Sequence, residues 1–315
     1  MQRTKLNSER FRWTGVMKWA AAAIVLTASL AARSVAQQEG QKTFSSPQEA
    51  SQALITAAQN NDEKAMLDVL GPAGKEIVSS GDDAEDAQTR ANFVRRYQEM
   101  HRFMKEPDGT TTLYIGAENW PAPIPLVNKG NVWYFDTAAG KQEILYRRVG
   151  QNELSTIRVC QELVAAEKEY RSAQHDTYAQ KIVSTEGQHD GLYWKSDNGQ
   201  PQSPIGPLVA DAFVTDSANT KTMPFRGYYY RFLTRQGKNG ASGKGGRFAF
   251  VAYPVEYRSS GVMTFLVKED GVVYEKDLGK DTEAAAKAIT ERASHSGWHK
   301  SDLPQEQTSA EQKTQ

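Results

Sequence analysis

Two His-Asp pairs, His175-Asp176 and His189-Asp190, are the residues best suited to chemistry in this chain. Imidazole nitrogens and carboxylate oxygens ligate divalent metals and relay protons near neutral pH. The two histidines stand 14 residues apart, without the close spacing of a helix-borne ligand pair, and no third ligand is obvious. Surface side chains with a turn at Asp190-Gly191 are the plainer reading, so no metal or other cofactor is assigned and His175 and His189 remain weak candidates. His295 and His299 would share a helix face only in a helical tail, which Gly297 and its polar neighbours oppose.

A second group suits recognition rather than catalysis. Tyr228, Tyr229 and Tyr230 lie between Arg226 and Arg231, and Trp194 follows the second His-Asp pair. Aromatic rings and guanidinium planes stack on sugars and peptides. On a strand, Tyr228 and Tyr230 would share one face and Tyr229 the other, with one face given to the core. Trp194, Tyr228, Tyr230 and Arg226 are therefore the candidate ligand-binding residues, and core packing is the competing expectation for the tyrosines.

Other patterns carry less. Glycines 237, 240, 243, 245 and 246 with Lys244 lack the following helix that would gather amides around a phosphate. No Gly-x-Ser-x-Gly elbow occurs, so no serine nucleophile is assigned. Cys160 is the only cysteine, which excludes an intramolecular disulfide. It sits in an apolar helical pattern and reads as a small buried residue.

The elements that would position these groups are legible from spacing. Ser46, Pro47 and Glu49 form a capped helix start, with Ala50, Ala53, Leu54, Ala57 and Ala58 on one face. A second helix runs from Asp62 to Leu70 and stops at Gly71-Pro72. A third follows Gly81-Asp82-Asp83 and carries its apolar period through Met100 and Phe103 to the turn at Pro107-Asp108-Gly109. Strands are expected over 110–116 and 131–135, then helices over 138–148 and 152–171 broken at Gly150. The longer of these should bury Leu154, Ile157, Cys160 or Gln161, Val164 and Tyr170. Beyond residue 176 helical periodicity gives way to strands over 227–233, 247–253, 261–268 and 271–276, with Asp270-Gly271 as a type I′ hairpin signal. A final helix spans 281–292 with Ala284, Ala285, Ala288 and Ile289 inward.

The first residues read as an export leader. A basic stretch ends at Lys18, the apolar run 19–32 follows, and Ser34-Val35-Ala36 offers small residues for cleavage between Ala36 and Gln37. No cysteine follows the run, no Arg-Arg pair precedes it, and no prepilin-type junction lies ahead of it, so ordinary secretion to the periplasm or beyond is expected. Residues 1–36 carry six bases and one acid, which leaves 32 bases against 37 acids elsewhere, a net charge of −5. That balance disfavours nucleic acid as a partner. Mean hydropathy of −0.63 and the lack of a long apolar run argue against a membrane span after leader cleavage.

Several blocks resemble one family when taken together. These are 130–141 (Gly130-Asn131-Val132-Trp133-Tyr134-Phe135 onward), 147–154, Asp190-Gly191-Leu192-Tyr193-Trp194, Ser203-Pro204-Ile205-Gly206-Pro207-Leu208, Gly227-Tyr228-Tyr229-Tyr230-Arg231 and Gly261-Val262-Met263-Thr264-Phe265 through Asp277-Leu278-Gly279. Over residues 44–290 the chain is similar to the bacterial exported family known as domain of unknown function 2950. The resemblance implies an envelope or secreted protein and assigns no catalytic residue.

The expected architecture is α+β, a helix-rich N-terminal half followed by an antiparallel β-meander half with a C-terminal helix. Its parts are a signal peptide over 1–36, a helix-rich region over 37–175, a sheet region with its terminal helix over 176–293, and a disordered tail over 294–315. The expected role is an exported, non-catalytic binding or accessory protein whose partner is an envelope protein or glycan. A secreted hydrolase, metal-assisted through His175 and His189, is the alternative.

Overall fold

The computed structural model describes residues 38–174, 177–195, 202–213, 223–234, 248–290 and 296–301. The stretch expected as a leader, with its expected cleavage between Ala36 and Gln37, and the pair His175-Asp176 lie outside these. The architecture is α+β, as the periodicities predict. Two compact units, 1–146 and 147–315, divide within one long helix, whereas the composition changes at 175/176.

In the first unit, helix α1 (Pro47–Gln59) begins where the sequence places it. Ser46 Oγ accepts the Glu49 N–H at 3.1 Å, and Glu49 Oε2 accepts from Ser45 N and Oγ. The acid thus reaches one residue further back than a reciprocal capping box requires. Asp62 caps α2 (Glu63–Leu70) through the Ala65 N–H, and Gly71 at φ +79° turns the chain out of it. A 3-10 turn (Pro72–Gly74) and α3 (Lys75–Val78) lead to α4 (Asp83–Glu99), capped by Asp82. Helix α4 ends earlier than its apolar period suggests. Met100 is already extended (φ −165°), and Phe103 belongs to strand β1 (His101–Lys105). Its ring reaches the same core from a strand as it would have from the helix, so apolar spacing alone does not separate the two.

Strands β2 (Thr111–Ile115), β3 (Trp120–Pro121), β4 (Leu126–Lys129) and β5 (Val132–Phe135) complete an antiparallel sheet in the order β1-β2-β4-β5, with β3 also on β2. Lys129 pairs with Val132 across Gly130 and Asn131, both at positive φ (60° and 70°), which is the two-residue turn that matches strand twist. In β2, Thr111, Leu113 and Ile115 point inward. Leu54, Met66, Val69, Leu70, Leu126 and Phe135 form one core cluster, and Ile55, Tyr97, Leu113 and Ile115 a second.

The helix expected to break at Gly150 is continuous. Helix α5 runs over Thr137–Gln174. Gly150 costs it about 1 kcal/mol relative to alanine. A Cβ at this position would meet no atom within 4 Å, so packing does not demand the glycine. In the second unit Ile157, Cys160, Leu163, Val164 and Tyr170 of α5 are buried, but Leu154 is 39% exposed and Gln161 is exposed.

A five-stranded antiparallel sheet forms the centre of this unit, in the order β10 (His299–Lys300), β9 (Val273–Asp277), β8 (Met263–Lys268), β7 (Phe248–Pro254), β6 (Tyr228–Thr234). Every residue of β7 is buried because both faces of the sheet are covered. One face packs with α5 residues and with Ala210 and Phe213, which lie at and beyond the short helix α6 (Pro207–Ala210). The other packs Leu233, Val251, Tyr253 and Leu266 against Ala286 of α7 (Thr282–Lys287). Helix α7 is shorter than expected and turns Thr282 and Ala286 inward, while Ala284 and Ala288 are exposed.

The β8–β9 hairpin is present, but its turn is not type I′. Only Gly271 has positive φ (74°), the Gly271 N–H bonds to Lys268 O, and Val267 pairs with Val273 across a five-residue link. Type I′ needs both central residues at positive φ. His299 and Lys300, expected in the disordered tail, pair with Glu275 and Tyr274 of β9.

Candidate binding surface

The sequence candidates separate into a buried set and a surface set. Tyr228 and Tyr230 share one face of β6, as alternation predicts, but both are fully buried. The Tyr228 hydroxyl donates to Met263 O at 3.0 Å, and burial, with Glu153 nearby, pushes its pKa well above that of a free phenol. Tyr230 Oη lies 3.5 Å from Thr156 Oγ1, and burial raises its pKa too. Neither ring offers a surface to a ligand, which corrects their placement as ligand-binding residues. Tyr229, on the other face, is half-buried and packs near Tyr253. Arg231 Nη1 donates to Ala286 O and Ile289 O at the end of α7 and so has a structural task.

Arg226 is exposed. The Phe225–Tyr228 turn closes with reciprocal backbone hydrogen bonds, and both central residues have positive φ, Arg226 at 54° and Gly227 at 75°. The guanidinium lies 5.6 Å from the Phe225 ring centroid. Glycine is required at 227 for a second reason: a Cβ there would lie 2.5 Å from Asn152 Nδ2.

Trp194 and His189 form the other surface group. Their rings stack at 4.4 Å with an interplanar angle of 17°, and both residues are half-buried. The loop that carries them is pinned by Asp190, whose carboxylate accepts from Thr185 N (2.8 Å) and Thr185 Oγ1 (3.0 Å) and pairs with Lys181 Nζ (2.6 Å). Partial burial opposes ionisation of Asp190, but the bonds from Lys181 and Thr185 outweigh it and hold the pKa below the ordinary value. Gly191 lets residues 181–184 pass, since a Cβ would meet Ile182 O at 2.8 Å and Ser184 N at 2.9 Å. The Asp-Gly turn expected here is thus a docking point for the neighbouring chain segment.

Among the described residues, no three His, Cys, Asp or Glu side chains gather as a metal site would need. The glycine-rich stretch 237–246 and His295 lie outside the described residues. Cys160 is fully buried, and burial pushes its thiol up to about 12, which fits a packing role.

Two acids stand out only in the structure. Glu153 Oε1 accepts the N–H groups of Val262 (2.8 Å) and Met263 (3.0 Å), fixing the start of β8 to α5. Glu167 is fully buried, and burial pushes its carboxyl up to about 8 despite a hydrogen bond from the Ala179 N–H. A sequence signal for Glu167 exists: it follows Cys160, Leu163 and Val164 by seven, four and three residues, on their own helical stripe.

A family model described as a protein of unknown function (DUF2950) matches residues 41–301. The chain belongs to this family. Curated proteins and solved structures give no match. The DUF2950 match takes in both compact units, including Trp194, His189 and Arg226. Among the described residues, no helix is long and apolar enough to cross a membrane.

Proposed function

We propose that this DUF2950 chain is an exported protein of the cell envelope that binds a partner without transforming it, and that the Trp194–His189 stack is a contact point. The observation that carries the reading is the stack itself. Two half-exposed rings are held parallel on a loop braced by Asp190, so the surface is ordered before a ligand arrives. Preorganised aromatic faces lose little conformational entropy on binding and accept sugar rings or peptide side chains. The structural tasks of the other groups support the same reading. Tyr228, Tyr230 and Cys160 are spent on the core, while Glu153 and Arg231 hold elements together. Support for export is the pattern of residues 1–36, a basic start, an apolar run and small residues before Gln37.

The test uses purified full-length protein freed of its leader in its natural host. Tryptophan fluorescence is titrated with soluble peptidoglycan fragments and with an envelope protein extract. Trp194→Ala and His189→Ala should each weaken binding at an unchanged melting temperature. If both variants bind as the parent does, the stack is not the contact. If both unfold, the rings are core. N-terminal sequencing should find Gln37 first in a periplasmic or secreted fraction, and intact Met1 in the cytosol would defeat export. Stoichiometric zinc or manganese in untagged protein would shift the reading to the metal-assisted hydrolase.

A further inference from the structure

Strand β1, His101–Lys105, is the outermost strand of the first unit's sheet and pairs only with β2. Two backbone bonds fix the phase of that hairpin: Glu106 N–H to Thr110 O and Gly116 N–H to Met100 O, each 2.9 Å. In an antiparallel pair, residues exchange both hydrogen bonds at every second position. Arg102 and Met104 therefore bond inward to Tyr114 and Thr112, and the backbone N–H and C=O groups of His101, Phe103 and Lys105 point away from the sheet. Among the described residues none of those outward groups has a hydrogen-bond partner. The strand is exposed along its length except at half-buried Phe103.

Two of its five side chains, Arg102 and Lys105, are cationic, and His101 is an imidazole. The Arg102 guanidinium is held 4.5 Å from the Tyr114 centroid with Nε donating to Asn119, and His101 stacks on Tyr97 at 3.9 Å. The nearest acid along the chain, Glu106, accepts from the Tyr114 hydroxyl. A second copy of this chain is a poor occupant. Antiparallel pairing centred on Phe103 would set His101 opposite Lys105 and Arg102 opposite Met104, so neither cation would face a carboxylate.

We propose that the β1 edge is an interaction surface that adds an extended, acidic segment of a partner protein as a sixth strand. The ladder supplies affinity through the outward groups of His101, Phe103 and Lys105, and Lys105, on the strand face opposite to Arg102, selects carboxylates on the same face of the incoming strand. The edge lies in the first unit and stands independently of the Trp194–His189 reading.

The probe is a seven-residue peptide alternating Val and Glu, with a Val/Lys peptide as the counterpart, each carrying a fluorophore and read by anisotropy. The Val/Glu peptide should bind more tightly, weaken as salt rises, and slow hydrogen exchange at the amides of His101, Phe103 and Lys105. Lys105→Pro deletes one outward donor while leaving every bond to β2 in place, so the melting temperature should hold while affinity falls about tenfold. Lys105→Glu, which needs no backbone change, should reverse the preference between the peptides. Equal binding of both peptides, or binding without protection of those three amides, overturns the proposal. So does a concentration-dependent dimer that Lys105→Pro abolishes, because it gives the edge to a second copy.

Discussion

Glu167 Oε2 accepts the Ala179 N–H at 2.9 Å, while its buried Oε1 has no partner among the described residues. A carboxylate with half its acceptor capacity unmet in an apolar interior favours its neutral form. The groups around it do not relieve this. Tyr170, one turn on, has its own pKa raised by burial and by the charges of Asp190 and Glu167.

The pH dependence of stability follows from that raised pKa. Burial lifts Glu167 from 4.5 to about 8, so its folded-state pKa exceeds its unfolded one. Its contribution is then fully present below pH 4.5 and is lost as pH rises through about 8. The second unit should lose several kcal/mol across that window. Glu167→Gln keeps an acceptor for Ala179 and cannot ionise. It should flatten the profile and raise the melting temperature at pH above 8 relative to the parent, with no gain at acid pH. Matching parent and variant profiles would refute the raised pKa.

Cys160 should be silent to thiol reagents in the native protein. The side chain is fully buried and burial pushes its pKa to about 12, so neither access nor thiolate is available near neutral pH. Ellman's reagent should label it only at the rate of unfolding, and denaturant should accelerate labelling in step with loss of fluorescence. Labelling within seconds under native conditions would show that α5 does not shield it.

Gly261 is excluded from substitution by a ring. A Cβ at this position would fall 2.5 Å from Cζ and 2.7 Å from Cε2 of Tyr228, whose hydroxyl is anchored on Met263 O. The ring is fully buried and has no free direction in which to yield. Gly261→Ala should therefore cost about 1–3 kcal/mol by overpacking. Tyr228→Leu removes the obstruction, so the double variant Tyr228→Leu/Gly261→Ala should be more stable than the sum of the single losses. Strict additivity in chemical denaturation would deny the contact.

The sequence is most legible where local chemistry decides. Ser46 reads as a cap with Pro47 as the first helical residue, and so they are, because a side-chain oxygen and the next turn's N–H suffice; Asp62, read as the first residue of its helix, is that helix's cap. Legibility fails where tertiary packing outbids a local signal. Gly150 signals a break, but its penalty is small beside the burial of Ile157 to Tyr170 further along the same helix. Gly130 reads as the end of a connection and Asn131 as the start of a strand, although their two positive φ values make the β4–β5 turn; the proline-rich stretch before them hides the short strand β4. For the candidate site, alternation assigns Tyr228 and Tyr230 to one face, as the structure does. It does not reveal that α5 covers that face and α7 the other. The Trp194–His189 stack depends on a loop closed by Asp190, a contact that no periodicity encodes.

Gln41 offers the sharpest test in the first unit. It precedes α1 in an extended segment yet is only 5% exposed, and its Nε2 donates to Val69 O at 3.1 Å and to Phe135 O at 2.8 Å. One amide thus ties the segment before α1 to the end of α2 and the end of β5. Gln41→Leu would fill similar space but remove both donors, leaving two buried carbonyls short of a partner at about 1–3 kcal/mol. Gln41→Glu should be worse at neutral pH, because a carboxylate would face two carbonyl oxygens, and should improve on acidification as the acid regains a proton to donate. Melting curves at pH 4 and pH 7 separate the cases. A Gln41→Glu variant as stable as Gln41→Leu at pH 7, with no recovery in acid, would show that the amide protons do not hold these three segments together.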